Sequence, residues 1–306
     1  MLSYKTLITG STGFLGKALK NRLINENHKI YESNSSIANL ENLENLNLYK
    51  NIDFDFIYHT AAITHPGKKN SNNQLSQWIG NQLINTNIIN FWYKYQPQAK
   101  FITFGSSCMY SQEQKMLEDN CLKGSPESQY YIYGITKRML LEGLIAASFQ
   151  EKMSYIFYIP TVFYGPNFRL DDGHFIYDLI RKIYAGKYFH KEVVLWGDGS
   201  QERDLLYIDD ALNIISNTKF DNSVINLGSG NKLKIIEYAY MISKYLNYDF
   251  NLIKFDLSKQ IGVKKRDLNL NKLNHSINNI KITNIEIGIK KTIDFFLNNQ
   301  IEIEKN

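Results

Sequence analysis

The sequence predicts an α/β fold, with a doubly wound parallel sheet and a smaller α/β lobe. Two observations support this fold class. The first half of the chain alternates short apolar runs with longer helical patterns, as repeated βα units do. A glycine-rich turn at residues 10–16 joins the first apolar run directly to the first helical pattern. Such a turn after the first strand is typical of Rossmann-type sheets.

The apolar runs predict the strands, and the patterns between them predict the helices. We expect strands at residues 6–9, 29–32, 54–59, 101–104, 155–159 and 224–227. We expect helices at residues 14–24, 75–95, 133–149 and, after a glycine turn at 228–230, from about 234 to 246.

Two stretches, residues 167–204 and about 231–306, fit this alternation less well. We expect them to form a smaller substrate-binding lobe over the carboxyl ends of the strands, where open α/β sheets bind ligands. Residues 1–166, with about 205–230, would then form the dinucleotide-binding domain.

Composition excludes several classes of protein. The chain has 306 residues, of which 43% are hydrophobic and 21% charged, as in ordinary globular proteins. Its net charge of +5 is spread along the sequence, so we expect no nucleic-acid surface. No apolar run approaches about 18 residues, so we expect no membrane span. The two cysteines, Cys108 and Cys121, offer neither a disulfide framework nor metal-ligand spacing. With no room for a signal peptide before the glycine turn, they favour a cytoplasmic protein without a metal.

The glycine turn has the residues that a dinucleotide pyrophosphate requires. Gly10 permits a tight turn, Gly13 lets the backbone approach the phosphates, and Gly16 lets the helix pack on the sheet. The helix N-terminus then offers N–H groups to the anion. The alternative is a purely structural turn. The cofactor contacts predicted around this turn are Gly10, Thr12, Gly13, Phe14, Leu15, Gly16, Asn34, Ala61 and Ala62.

The end of the second strand bears on the choice between NAD and NADP. An acidic residue there binds the ribose 2′-hydroxyl, and an arginine binds a 2′-phosphate. Residues 33–36 contain neither, although Glu32 would serve if the strand ended early. The lack of a nearby basic residue favours NAD, and NADP stays open.

Tyr133 and Lys137 form the predicted proton-transfer site. Tyrosine has a pKa near 10 in water, too high for a base at neutral pH. Lys137 follows one helical turn later, and we expect its ammonium to lower the pKa of Tyr133 and to bind the nicotinamide ribose. Ser106, at the end of a predicted strand, would hydrogen-bond the reacting oxygen. A tyrosine and a lysine at this spacing also occur by chance, and His59 and Asn81 are expected to be structural.

With these motifs in order, the chain resembles the extended short-chain dehydrogenase/reductases that act on nucleotide-sugars. The similarity extends over nearly the whole length and includes residues 160–166, Arg203-Asp204 and Asn226-Leu227-Gly228. The resemblance implies that Arg203 contacts the substrate diphosphate and that the chain forms a homodimer through a four-helix bundle. Trp196 would lie near the nucleotide base or in the core. The further cofactor contacts implied are Pro160, Thr161 and Phe163, beside Tyr133 and Lys137.

Within that family the chain is most similar to the GDP-fucose synthase group, which are GDP-4-keto-6-deoxymannose epimerase/reductases. The similarity lies at residues 105–110 and 173–175. It implies that Cys108 is a base and His174 an acid at the carbons beside the ketone, before C4 is reduced. The implied substrate contacts are Ser107, Cys108, His174, Trp196 and Arg203. The alternative readings are a packed cysteine and a solvated histidine.

The chain departs from that group where cofactor arginines are expected, since Thr12, Ser33 and Ser35 stand there. Together with the motifs, the resemblance implies an NAD(P)-dependent epimerase/reductase acting at C4 of a GDP-linked deoxysugar or heptose. Two alternatives remain: an NAD-dependent C4 dehydrogenase or 4-epimerase, and a non-catalytic dinucleotide sensor.

Overall fold

A computed structural model describes residues 3–64, 73–169, 172–217, 219–259, 262–277 and 281–299. The strands are β1 Tyr4–Thr9, β2 His28–Ser33, β3 Phe56–His59, β4 Lys100–Phe104, β5 Tyr155–Pro160, β6 Val162–Tyr164, β7 Val194–Trp196, β8 Glu202–Tyr207, β9 Ser223–Leu227, β10 Lys232–Lys234 and β11 Lys254–Asp256. The helices are α1 Phe14–Asn25, α2 Gln74–Tyr95, α3 Tyr131–Glu151, α4 Phe175–Phe189, α5 Ile208–Asn217, α6 Ile235–Leu246, α7 Asn271–Ser276 and α8 Ile285–Asn298.

The first of two compact units comprises residues 1–160, 212–227 and 268–278. Its parallel sheet has the order β2-β1-β3-β4-β5-β9. The strand order reverses between β1 and β3, which confirms the doubly wound Rossmann-type fold. Thr9 pairs with both Ser33 and His59, so β1, β2 and β3 end at the same level. The turns that follow these three strands are therefore neighbours.

The core of this unit explains the apolar runs in the sequence. Every residue of β5 except Pro160 is buried, because helices cover both faces of the sheet. Trp92 on α2 is fully buried and donates its indole N–H to the carbonyl of Ala99 at 2.8 Å. α2 packs along α3, and the amide of Asn85 on α2 donates to the carbonyl of Thr136 on α3 at 3.4 Å.

The second unit comprises residues 161–211, 228–267 and 279–306. It contains a three-stranded sheet in the order β10-β8-β6 and a parallel pair formed by β11 and β7. An aromatic stack fills its interior, with the rings of Phe168 and Tyr177 3.9 Å apart.

The two units divide the chain differently from the predicted domains. Residues 161–166, about 205–211 and 228–230 fall in the second unit, and residues 268–278 fall in the first. The placement of residues 268–278 has a clear cause: the buried Asn226 donates its amide to the carbonyls of Met116 at 2.9 Å and Asn269 at 3.0 Å. Leu268 also forms a bridge with Met116. Of the helices described, none has the length and apolar character needed to cross a membrane.

Candidate active site

The turn after β1 is built on close backbone contacts that only glycine allows. Gly10 has φ +67°, in the left-handed region, and a Cβ there would lie 2.7 Å from the backbone of Ala61. A Cβ on Gly16 would overlap the carbonyl of Gly10. The turn, the start of α1 and the turn after β3 are thus packed against one another.

The N-terminus of α1 is suited to an anion. Gly13 is its N-cap residue and offers no side chain to the first N–H groups, and the first turn carries no acidic residue. Gly13 itself is held by a hydrogen bond from its N–H to Gly10 at 3.0 Å. The partial positive charge of the helix end is therefore not neutralised locally. The residues present fit a dinucleotide pyrophosphate.

The end of β2 decides whether Glu32 could bind the cofactor ribose, as it would if the strand ended early. β2 continues to Ser33, and the carboxylate of Glu32 is paired with Lys20 at 2.5 Å. Glu32 is therefore engaged along α1 and does not cap the strand. Asn34 instead lies at the strand end, where it donates to the hydroxyl of Ser11 at 3.2 Å.

Ser106 and Cys108 lie directly after β4. The thiol of Cys108 is 3.2 Å from the hydroxyl oxygen of Ser106, which also accepts the N–H of Cys108 at 3.5 Å. Ser107–Met109 form a single turn of 3₁₀ helix, in which Ser107 is 7% exposed and Cys108 is 3% exposed. The structure thus places a thiol and a hydroxyl side by side at the strand end.

α3 brings Tyr133 and Lys137 to the same place. A Cβ on Gly134 would lie 2.9 Å from the carbonyl oxygen of Cys108, so the helix touches the Cys108 turn. The Nζ atom of Lys137 is 5.7 Å from the centroid of the Tyr133 ring, one turn away. Ser106, Cys108, Tyr133 and Lys137 therefore belong to one cluster within the first unit.

The electrostatics of this cluster differ from the expectation that Lys137 lowers the pKa of Tyr133. Burial, and next the charge that a Cys108 thiolate carries, raise the pKa of Tyr133 above its usual value. Burial lowers the pKa of Lys137 to about 8, and the proximity of Cys108 opposes that effect. That expectation was wrong, because desolvation is the largest cause of both shifts and Lys137 is not among the causes that act on Tyr133. Tyr133 is held in its protonated form, as a proton donor requires.

A buried polar chain beside this cluster was missed by sequence reasoning. His59 Nδ1 lies 2.7 Å from the hydroxyl of Thr9, and its Nε2 lies 3.1 Å from Oδ1 of Asn85. The amide of Asn85 donates to the carbonyl of Thr136 at 3.4 Å. Because Asn85 Oδ1 is an acceptor, His59 must carry its proton on Nε2 and accept from Thr9. The sequence gives no signal for this series of hydrogen bonds, because it does not show that Thr9, His59 and Asn85 are buried.

Burial, together with the nearby charge of Lys137, lowers the pKa of His59 to about 3. The imidazole is neutral at physiological pH. His59 therefore links the end of β1 to α2 and α3 without adding charge to the site.

Among the residues predicted to bind substrate, His174, Trp196 and Arg203 lie in the second unit. His174 is the N-cap residue of α4, and its Nδ1 is 2.5 Å from the carboxylate of Asp172. Burial raises the pKa of Asp172, but the hydrogen bonds and charge of His174 outweigh it, so the pKa is lowered overall. Asp172 was missed, although its spacing of two residues from His174 is a usable signal.

Trp196 and Arg203 occupy strands of the second unit. Trp196 ends β7 and is 40% exposed, with Lys182 Nζ 5.9 Å from its ring. Arg203 in β8 donates to the carbonyl of Glu202 at 2.8 Å. Exposure of Trp196 excludes the alternative that it is a core residue.

Three predicted cofactor residues lie where β5 ends and the second unit begins. Pro160 is the last residue of β5, and Phe163 is in β6. The hydroxyl of Thr161 donates to the carbonyl of Asp204. In the part of the chain described, no three His, Cys, Asp or Glu side chains are placed to hold a metal ion.

Comparison with known proteins places these features in a family. Residues 6–228 match the NAD dependent epimerase/dehydratase family. The chain is 29% identical to GDP-L-colitose synthase of Yersinia pseudotuberculosis, over 96% of this chain and 98% of that one. It is 27% identical to GDP-L-fucose synthase of Escherichia coli K12, over 98% of each chain. A GDP-L-fucose synthetase from Naegleria fowleri, solved with NADP bound, superposes with a TM-score of 0.86 at 25% identity, covering 98% of this chain and 95% of that one.

Proposed function

The chain belongs to the NAD dependent epimerase/dehydratase family and is an NAD(P)-dependent enzyme; we propose that it epimerises and reduces a GDP-linked 4-keto sugar. The contact that carries this proposal is that of Cys108 with Ser106, 3.2 Å apart, on the turn that touches α3 at Gly134. A plain C4 oxidoreductase needs a hydroxyl and a tyrosine at this point, but it has no use for a thiol. The matched relatives named for GDP-sugar synthesis support the substrate class.

The first unit holds the groups for reduction at C4. A nicotinamide bound over the glycine turn would supply the hydride. Ser106 would hydrogen-bond the C4 oxygen, and Tyr133, which is held protonated, would donate its proton to that oxygen as it becomes a hydroxyl. Lys137 would bind the nicotinamide ribose and stabilise the tyrosinate left behind.

Cys108 and His174 are the proposed pair for inversion of the carbons beside the ketone. Cys108 as a thiolate would remove a proton from C3 or C5, and His174 as an imidazolium would return one to the opposite face. Asp172, bonded to Nδ1, would leave Nε2 of His174 as the nitrogen that gives the proton. Ser107, Trp196 and Arg203 would hold the rest of the substrate, with the guanidinium on the diphosphate.

We also propose that the enzyme prefers NAD to NADP. The end of β2 presents Asn34 and Ser33, and Lys20, a cation on α1 near that strand, is paired with Glu32. A ribose 2′-phosphate would find no free guanidinium there among the residues described. Affinities for NADH and NADPH, compared by fluorescence titration, test this preference. The NADP-bound relative from Naegleria fowleri makes the comparison informative.

A homodimer through α2 and α3 is the assembly we propose. Their outer faces carry exposed apolar residues, and a groove of about 500 Å³ runs between them, lined by Thr86, Ile89, Tyr93, Met139 and Gly143 among others.

We place the enzyme in the cytoplasm, because Cys108 and Cys121 are both free thiols.

Solvent exchange tests the epimerase. The protein is incubated in D₂O with GDP-4-keto-6-deoxymannose and either NADH or NADPH, and the product is analysed by NMR. We expect deuterium at C3 and C5 and a reduced C4, and the Cys108→Ser variant should lose the label. Reduction at C4 without deuterium at C3 or C5 would show that the enzyme reduces its substrate but does not epimerise it.

The neutral end of β2 favours one alternative, an NAD-dependent C4 dehydrogenase or 4-epimerase. Mass spectrometry of the cofactor that co-purifies separates the two: tightly held NAD supports the alternative, and an exchangeable dinucleotide supports the reductase. A non-catalytic sensor is disfavoured, because it has no need of the Ser106, Tyr133 and Lys137 cluster.

A further inference from the structure

Arg138 is a buried cation next to the proposed proton-transfer site. It follows Lys137 on α3 and is 8% exposed. Within the described residues its hydrogen bonds are all to neutral backbone carbonyls: Nε donates to Met109 at 2.9 Å, Nη1 to Gly124 at 2.5 Å and Leu122 at 3.4 Å, and Nη2 to Lys123 at 2.9 Å and also to Met109. Burying a guanidinium is costly, so this arrangement is stable only if the fork is satisfied throughout.

The carbonyls it binds belong to the two ends of one segment, residues 109–124. Met109 directly follows Cys108 and begins this segment, and residues 122–124 end it. Gly124 has φ +63°, and a Cβ there would lie 2.9 Å from the Cβ of Ser111, so the two ends of the segment are in contact. The side chain of Arg138 on α3 therefore holds both ends by hydrogen bonds.

Cys108 is fixed on its other side by independent contacts. Its carbonyl oxygen accepts the N–H of Glu127 at 3.1 Å and lies against Gly134 of α3. The backbone of Cys108 is thus held at its own carbonyl by Glu127 and at the next carbonyl by Arg138. Ser106, by comparison, directly follows β4 and is positioned by the sheet.

We propose that Arg138 is a positioning residue that holds the Cys108 turn at a fixed distance from Tyr133 and thereby supports inversion beside the ketone. The inference rests on the proposed epimerase function. Removing a proton from carbon demands close placement of the base, and a misplacement of about 1 Å can cost about 100-fold in rate. Hydride transfer depends on Ser106, Tyr133 and the glycine turn, so it is less sensitive to Arg138.

The variant Arg138→Lys keeps the positive charge and loses the planar fork, because an ammonium cannot reach four carbonyls at once. The matched control is Arg22→Lys, the same exchange in an exposed ion pair on α1. Both are assayed with GDP-4-keto-6-deoxymannose in D₂O. We expect Arg138→Lys to slow deuterium wash-in at C3 and C5 by about 100-fold and to raise the share of product that is reduced without inversion. Arg22→Lys should match the parent protein.

The share of uninverted product separates positioning from a merely structural role. Partial unfolding lowers wash-in and reduction equally and leaves that share unchanged, which would overturn the proposal. Unchanged wash-in in Arg138→Lys would overturn it as well.

A second measurement needs no substrate and so distinguishes failure of this inference from failure of the proposed function. Cys108 is buried, and its alkylation by iodoacetamide, followed by peptide mass spectrometry, reports how firmly its turn is held. Losing buried hydrogen bonds to a charged group favours local opening, so Arg138→Lys should raise that rate roughly tenfold or more while NADH affinity is retained. An unchanged alkylation rate would refute the role of Arg138 even if the parent protein proved to act on another substrate.

Discussion

Tyr133 and Lys137 lie one turn apart on α3, with Nζ 5.7 Å from the ring centroid, and burial disfavours the charged form of each. The phenol keeps its proton, and the ammonium holds its proton less firmly than in water. A protonated phenol beside an ammonium of lowered pKa is suited to donating a proton to a ketone oxygen.

Replacing Tyr133 by Phe removes the proton donor and leaves the ring. We expect turnover to fall by about 10²–10⁴-fold, the usual contribution of general acid catalysis, with little change in NADH affinity. Tyr131→Phe is the control, because Tyr131 starts the same helix and is 45% exposed. Full turnover in Tyr133→Phe would assign the proton donor elsewhere.

Activity should decline as pH rises through about 8, where Lys137 loses its charge. The reason is that the neutral amine no longer stabilises the tyrosinate. A profile of kcat/KM against pH measures this, and Lys137→Arg should move the decline to higher pH because a guanidinium stays charged. A profile that is flat from pH 7 to about 10 would contradict the assignment.

Folding stability should rise as pH increases above about 8, whereas activity should fall. The pKa of Lys137 is about 8 in the folded protein and 10.5 in the unfolded chain. Between these values the unfolded chain binds more protons, so this residue makes stability rise with pH. Lys137→Met should abolish that rise and stabilise the protein at pH 7 by up to roughly 3 kcal/mol. Urea denaturation at several pH values measures both effects.

Two alanine substitutions should separate the structural and binding roles of the glycine turn. Gly16→Ala places a methyl group on the carbonyl of Gly10, and we expect a loss of more than about 1 kcal/mol in unfolding free energy. At Gly13 a Cβ would lie 3.2 Å from the carbonyl oxygen of Gly10, whereas at Gly16 it would overlap that atom, so Gly13→Ala should cost less stability than Gly16→Ala and bind NADH less tightly. Equal effects of both on stability would refute this division.

His59 should make the protein sensitive to mild acid. Its pKa is about 3 when folded, against 6.5 for the free group, so the unfolded chain binds more protons as pH falls from about 6.5 and stability drops. His59→Gln should weaken the dependence between pH 5 and about 6.5, above the range in which ordinary carboxylates titrate. His275→Gln, on the surface helix α7, is the control.

The α2–α3 face should govern assembly. Met139→Glu places a charge at a position that is 47% exposed beside the groove, and we expect it to shift the protein toward monomer in sedimentation velocity. Ile24→Glu, at a position 50% exposed on α1, should leave the distribution unchanged. A parent protein that is already monomeric would overturn the proposed dimer.

The sheet and the glycine turn were predictable because they depend on local signals. The apolar runs mark strands buried on both faces, and the spacing of Gly10, Gly13 and Gly16 fits one turn geometry. The predicted helices were likewise found, with ends displaced by one or two residues. Patterns of this kind indicate the secondary structure of a segment without reference to its contacts with distant segments.

The features that were missed or mistaken depend on contacts between distant segments. The pKa of Tyr133 follows from burial, which becomes known only when α3 is packed on the Cys108 turn. Nothing in the sequence singles out Arg138, yet it binds a carbonyl 29 positions away. Asn226 shows the same limit, since its partners lie 110 and 43 positions away and decide which unit residues 268–278 join.

The order in which the chain supplies the first unit has a consequence for its biosynthesis. β9 and α7 are translated only after long insertions that belong to the second unit. A ribosome must therefore deliver residues 1–227 before the last strand can close the sheet, and truncation before residue 278 leaves both units incomplete. Expression of either half alone should yield aggregation-prone fragments, and a nascent chain should acquire protease resistance late and abruptly.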